Sequence, residues 1–313
     1  MRKVGSNSDG LGALDYYLNS CAYLLNVLQE DSKLQDSELA DLLGQVFRFL
    51  RFEPSKRDTE RAEEVVRQLG LFGVVGKALW FLRNKKDAQR HRELTRLATE
   101  PKQIIGNQYL FYIAGTLASV GYDVEFVPEK GNQALKTPDL RVSKAGKVTW
   151  IEANAKAPVK PVDSTQGLAR MIRDIVAEKK LKFAKPEYMS GMIVADISPA
   201  DYLANESGRP PGLSLNPVLI EHLPGGSKLY RLYRDFEWNR RPENNGNVIA
   251  YIIDELKNID DARYGVNQCL LTVTRRAWLS DGVFSFPKYH LLVVDRSAED
   301  QILGELARLV YVI

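Results

Sequence analysis

Along the first hundred residues the apolar positions recur three and four apart, the spacing of buried helix faces. Leu14, Tyr17, Leu18, Cys21, Leu24, Leu25 and Leu28 trace one such face. Asp36-Ser37 reads as the N-cap of a second helix carrying Leu42, Leu43, Val46, Phe47 and Leu50. A third is predicted from about Asp58-Thr59 to Gly70, with Ala62, Val65, Val66 and Leu69 inward, and a fourth from Val74 to Arg83. Residues 1–10 are polar and glycine-rich and read as a loose tail. Gly70, Gly73 and Gly76 suit a helix end and close helix packing. They do not make a phosphate loop, because no strand precedes them and no Gly-Lys-Ser/Thr follows. The charged run Lys85–Arg96 reads as a connector, with His91 a surface residue.

The period changes after residue 100. A helix is predicted over residues 101–120, burying Ile104, Ile105, Leu110, Phe111, Ile113, Ala114, Leu117 and Ala118 and ending at Gly121. Three short strands follow, Asp123–Val127, Leu140–Val142 and Lys147–Ala153, the last two joined by a turn at Lys144-Ala145-Gly146. Pro158 and Pro161 break the chain, Asp163-Ser164 opens a helix to about Phe183, and Gly191–Ile197 is a fully apolar strand. A helical crossover of this kind makes the last strand parallel to a central one. Residues 200–246 are rich in Gly, Pro and Asn and suggest only helical fragments near Pro217–His222 and Leu229–Asn239. Val248–Leu256 fits strand or helix, Asn267–Thr274 and Tyr289–Val294 read as strands, and Glu299–Val310 reads as a closing helix. The organisation expected is α/β: a helical region over residues 1–97, then an α/β domain over residues 98–313 whose C-terminal strands extend the sheet.

The chemistry is concentrated between Gly121 and Lys156. Strand alternation points Glu152, Asn154 and Lys156 to one face of an otherwise apolar strand. A carboxylate, an amide and an ammonium in a row are costly to bury without a purpose, which marks a site rather than a core. Asp139, directly after Pro138, lies on the neighbouring strand. Two carboxylates on adjacent strands can converge on Mg²⁺ or Mn²⁺, completed by a backbone carbonyl from residue 153, water and substrate phosphate. Such an ion polarises a phosphodiester and activates water, and a nearby lysine offsets transition-state charge.

Charge supports a phosphate-rich partner. The net charge is only +3, yet residues 153–185 hold eight basic and three acidic side chains. Lys160, Arg170, Arg173, Lys179 and Lys180 in this stretch are the candidate nucleic-acid contacts. Solvated lysines on an exposed helix account for the same pattern. Two cysteines and three histidines are too few and too scattered for a zinc cluster or a disulfide framework, which points to a reducing compartment and a cytoplasmic protein. No apolar run has the length of a membrane span, and the N-terminus lacks a signal-peptide core. No nucleophile elbow or cysteine–histidine pairing is visible. Two carboxylates also suffice for glycoside hydrolysis, but basic surroundings favour a phosphate substrate.

The segment Thr137-Pro138-Asp139, followed by Ile151-Glu152-Ala153-Asn154, resembles the motif of the PD-(D/E)xK, or restriction-endonuclease-like, nuclease superfamily. The predicted α-β-β-β-α-β order over about residues 100–198 is similar to that family's core. The resemblance implies a hydrolase cutting nucleic acid, DNA in preference to RNA, with Asp139 and Glu152 as ligands of Mg²⁺ or Mn²⁺. It leaves a homodimer or a protein partner open. Asn154 stands where the family's lysine is usual. Lys156 on the same strand face can take that part, as can Lys179 or Lys180 reaching in from the next helix. Gln108 lies where many members carry a glutamate. Loss of the cation at 154 equally fits an inactive nuclease fold that binds nucleic acid or a protein, since Asn is neither acid nor base near neutrality. In the plainest reading Pro138-Asp139 is a turn, Glu152 pairs with Lys147 or Arg141, and Trp150 is core. Tyr230, Tyr233, Phe236 and Trp238, interleaved with Arg231, Arg234, Arg240 and Arg241, suit either a stacking surface for single strands or an amphipathic helix.

Overall fold

In the computed structural model the described residues are 8–51, 72–84, 88–100, 104–128, 137–155, 173–188, 191–196, 219–222, 228–231, 266–278 and 285–295. The helical periods of the first hundred residues become α1 (Ser8–Gln29), α2 (Glu38–Arg51), α3 (72–81), α4 (Ala88–Thr99) and α5 (Ile104–Ser119). Helix α1 starts at Ser8, inside the expected tail. Ser37 caps α2: its Oγ accepts the Ala40 N–H at 3.3 Å. Glu38 and Asp41 in the first turn of α2 and Arg48 and Arg51 in its last match the dipole at both ends. The predicted helices over residues 59–70 and 299–310, and the segment Val248–Leu256, lie outside the described residues.

The stretch expected to be a connector is α4. Leu94, Leu97 and Ala98 are buried, and so are Gln89 and Glu93, one turn apart, whose side chains bond at 3.0 Å. Arginines around this narrow apolar stripe hide its helical period. His91 is half exposed and lies 3.5 Å from Asp31.

The chain divides into two compact units, residues 1–119 with 276–287 and residues 120–275 with 288–313. The first division falls after α5, not at residue 97. Helix α5 lies against α4, and its Gly115 faces Ala78 of α3. Every position of α5 from Asn107 to Leu117 is buried, apolar or not. The core of the helical unit is completed by Cys21, Leu24, Leu28, Leu43, Val46, Val75, Leu82 and Leu97.

A mixed sheet, most of it within the second unit, is formed by β1 (Asp123–Phe126), β2 (Leu140–Lys144), β3 (Lys147–Ala155), β4 (Gly191–Asp196), β5 (Leu219–His222), β6 (Lys228–Arg231), β7 (Val266–Trp278) and β8 (Ser285–Asp295). The strand order is β1-β2-β3-β4-β7-β8-β6-β5. Strands β1, β2 and β3 pair antiparallel, with Leu140 opposite Ile151. Strand β4 is parallel to β3, with Ile193 beside Glu152, and β7 is parallel to β4. The architecture is α/β, as the change of period predicts. The helical fragments expected at Pro217–His222 and Leu229–Asn239 are instead the antiparallel strands β5 and β6 where described. Pro224-Gly225-Gly226 between them is the sequence sign of a hairpin. Among the described residues no helix is long and apolar enough to cross a membrane.

Gly76 fixes how closely α1 and α3 approach. A Cβ there would overlap the backbone carbonyl of Ser20, which cannot swing aside as a side chain can. Gly76→Ala should therefore destabilise the protein by about 1–3 kcal/mol through overpacking, although alanine favours a helix by roughly 1 kcal/mol. Urea denaturation measures this, and a variant as stable as wild type would contradict the α1–α3 contact.

Candidate functional site

Alternation along β3 sets two faces. Thr149 and Ile151 are buried on one, and Trp150, Glu152 and Asn154 lie on the other. The segment 173–188 covers the second face. Its helix (α6, described over 173–179) runs into 3₁₀ turns at Lys180–Phe183 and Pro186–Tyr188. Tyr188 packs edge-on against Trp150, ring centroids 4.7 Å apart, so Trp150 is a packing residue as expected. Phe183 is buried against Gly191 at the start of β4, where a Cβ would come within 2.6 Å of the ring's Cε1. Glycine at 191 is what lets this segment seat on the sheet.

Asp139 is fixed by its backbone and its side chain. Its N–H donates to the Ile151 carbonyl and its carbonyl accepts the Val127 N–H, both at 2.9 Å. Beyond Leu140 the β2 ladder ends, and the Ala153 N–H donates instead to Asp139 Oδ2 at 2.9 Å. The remaining oxygen, Oδ1, faces Lys182 Nζ at 3.2 Å. The same ammonium lies 2.7 Å from Glu152 Oε2. Lys179 Nζ reaches Glu152 Oε1 at 3.2 Å and Glu178 Oε1 at 3.3 Å. Side-chain exposure is 1% for Glu152, 12% for Lys179, 16% for Lys182 and 21% for Asp139. Two carboxylates and two ammoniums thus form one largely enclosed cluster.

The Glu152 oxygens accept no well-directed hydrogen bond among the described residues. At 2.7 Å the Lys182 contact is still a close ion pair, held by charge more than by angle. Burial drives the Glu152 carboxyl well above its usual range, Asp139 adds to this, and Lys182 and Lys179 oppose it. Burial of Lys182 favours the neutral amine, but Asp139 and Glu152 together outweigh that and raise it. A proton on Glu152 loosens its hold on Lys182. At neutral pH Lys182 is a cation either way.

The expected convergence of Asp139 and Glu152 is present, and Lys179 joins them from the following helix. Lys182 was not singled out from the sequence. Its signal is the spacing: Val176 and Phe183 are buried positions of the covering segment, as is Tyr188, and Lys179 and Lys182, three apart, lie between the first two. Asn154 is buried on the same strand face. Arg173 lies on α6 and is exposed, and Lys180 opens the 3₁₀ turn. Gln108 is buried on α5, within the helical unit. Lys156, Lys160 and Arg170 lie outside the described residues, as do Tyr233, Arg234, Phe236, Trp238, Arg240 and Arg241. Arg141 pairs across the strands with Glu125 at 3.0 Å, and Glu152 pairs with neither Arg141 nor Lys147.

The donor set fits a hard divalent cation. One carboxylate is buried without directed hydrogen bonds, and the other presents a single oxygen to the same ammonium, Lys182 Nζ. Among the described residues no group of three or more His, Cys, Asp or Glu can hold a metal. Backbone carbonyl, water or substrate oxygens would complete the shell, as is usual for magnesium. No family model, curated protein or solved structure matches the chain.

The raised groups fix the sign of the pH dependence. Glu152 binds its proton more tightly folded than unfolded, so stability falls as pH rises from about 4.5 through the raised folded value. Lys182 is also raised, and its contribution is lost only above about 10.5. Glu152→Gln should flatten the acid-side slope and shrink the alkaline one, with Asp139 retaining part of it. Denaturant midpoints across pH measure both, and an unchanged acid-side slope would contradict the burial of an ionisable Glu152.

Proposed function

We propose that the chain is a metal-dependent nuclease of restriction-endonuclease-like fold, hydrolysing phosphodiester bonds of nucleic acid, with DNA the favoured substrate. The observation carrying this is Lys182 Nζ between Asp139 Oδ1 and Glu152 Oε2. It supplies an ammonium beside the paired carboxylates even though Asn154 occupies the position where the motif has lysine. The chain order α5, β1, β2, β3, α6, β4, with β3 parallel to β4, supports the same reading.

Asp139 and Glu152 would hold Mg²⁺ or Mn²⁺, which when bound polarises the phosphodiester and activates water. Asp139 is pre-positioned by the Ala153 N–H, so one ligand needs no rearrangement. Lys182 remains protonated near neutrality, so it acts as a charge and hydrogen-bond donor and not as the base. In the reaction water attacks phosphorus, the bond to one ester oxygen breaks, and the proton lost by water is balanced by the one that oxygen gains. Lys179, engaged by Glu152 and Glu178, serves the carboxylate more directly than the nucleic-acid backbone.

A second reading rests on the same cluster. Two carboxylates neutralised by two lysines also suit an inert fold that binds nucleic acid or a protein without cutting. Plasmid nicking with Mg²⁺ or Mn²⁺ separates the two. Asp139→Ala and Glu152→Ala should abolish nicking, and Lys182→Ala should slow it by about 10²–10³-fold. Lys156→Ala belongs in the same series, because a loss there with Lys182→Ala active would transfer the role to Lys156. Absence of cleavage of DNA and RNA by the wild type, with salt-dependent binding retained, would favour the binding module.

A further inference from the structure

The two oxygens best placed to grip a divalent ion, Asp139 Oδ1 and Glu152 Oε2, are the two that Lys182 Nζ touches. Asp139 Oδ2 is occupied by the Ala153 N–H. Lys182 also sits on a firm base, next to Phe183, which is buried against Gly191. Its backbone is held by that packing, while its side chain has four rotatable bonds with which to leave the gap. An ammonium and a divalent ion cannot share the same two oxygens without strong like-charge repulsion.

We propose that Lys182 is a resident cation of this site: its ammonium holds Asp139 and Glu152 together in the metal-free protein and is displaced when a divalent ion binds. This rests on the reading that the two carboxylates are metal ligands. Metal entry and the release of Lys182 toward bound phosphate are then one event, and the lysine sets the ion concentration at which the site fills. The arithmetic is that of a partly available state: a gap clear of the ammonium one-tenth of the time binds about tenfold more weakly than an open one. Lys179 makes no such bridge, since its contacts are to Glu152 Oε1 and Glu178.

Calorimetric titration of the full chain with MnCl₂ tests this without reference to cleavage. Lys182→Met should bind Mn²⁺ about tenfold or more tightly than wild type, and Lys179→Met should gain less. Equal or weaker binding by a folded Lys182→Met overturns the proposal. Lysine acetylation of the wild type, read by peptide mass spectrometry, gives a second measure should Lys182→Met not fold. Lys182 should label slowly without Mn²⁺ and several-fold faster with it, and unchanged or slower labelling overturns the proposal. Mn²⁺-dependent nicking by wild type with no gain in Lys182→Met affinity would remove this inference and leave the nuclease reading. Tighter Mn²⁺ binding by Lys182→Met, lost on adding Glu152→Ala, with no cleavage by wild type, would do the reverse. Absence of Mn²⁺ binding by both proteins would remove both.

Discussion

A carboxylate with 1% of its side chain exposed has to be answered by charge, and in this protein Lys182 and Lys179 give that answer at Glu152. An uncompensated ion at such depth costs several kcal/mol even after the surroundings relax. Attraction between buried partners offsets that cost only when their geometry is fixed beforehand. The rest of the second unit can be understood as the means of fixing it. Strand β3 carries Glu152, Asp139 directly precedes β2, and the segment covering β3 and β4 carries both lysines.

The lysines are placed by packing at positions that carry no charge. Phe183 fits over Gly191, and Tyr188 fits against Trp150, the residue that pairs with Gly191 across β3 and β4. These two contacts seat the last residue of each 3₁₀ turn, and the first of them lies next to Lys182 in the chain. A lysine at the end of a flexible helix would lose much side-chain entropy to hold one geometry. Here much of that ordering is already done by aromatic burial. The electrostatic cluster and the hydrophobic seat are therefore one structural unit, and disturbing Gly191 would reach the carboxylates without touching a charge.

The sequence made the paired carboxylates legible because strand alternation is a strict rule. Glu152 stands among Val148, Trp150 and Ile151, and a polar residue on such a strand is conspicuous. The β2–β3 hairpin is readable from its turn residues Lys144-Ala145-Gly146, and β4 as an unbroken apolar run whose parallel direction follows from the helical crossover before it. Helix α4 was obscured because its buried stripe is only Leu94, Leu97 and Ala98, widened by the polar pair Gln89 and Glu93. Strands β5 and β6 are four residues each, too short for period to separate strand from helix. Lys182 was passed over because, in a run of lysines, nothing local distinguishes a buried ammonium from a solvated one. What distinguishes it is Phe183 beside it and the tertiary contact that Phe183 makes.

Asn154 then has a physical explanation. On the nuclease reading proposed above, the paired carboxylates need a cation beside them, and the direction from which it comes is secondary, because Coulomb attraction depends on distance and surroundings and not on which element carries the charge. With two ammoniums arriving from the covering segment, a third at position 154 on the β3 face would crowd like charges into a largely enclosed cluster. An amide at 154 is uncharged and still offers both a donor and an acceptor. On that reading the amide on the strand and the ammonium on the covering turn are best understood as a pair.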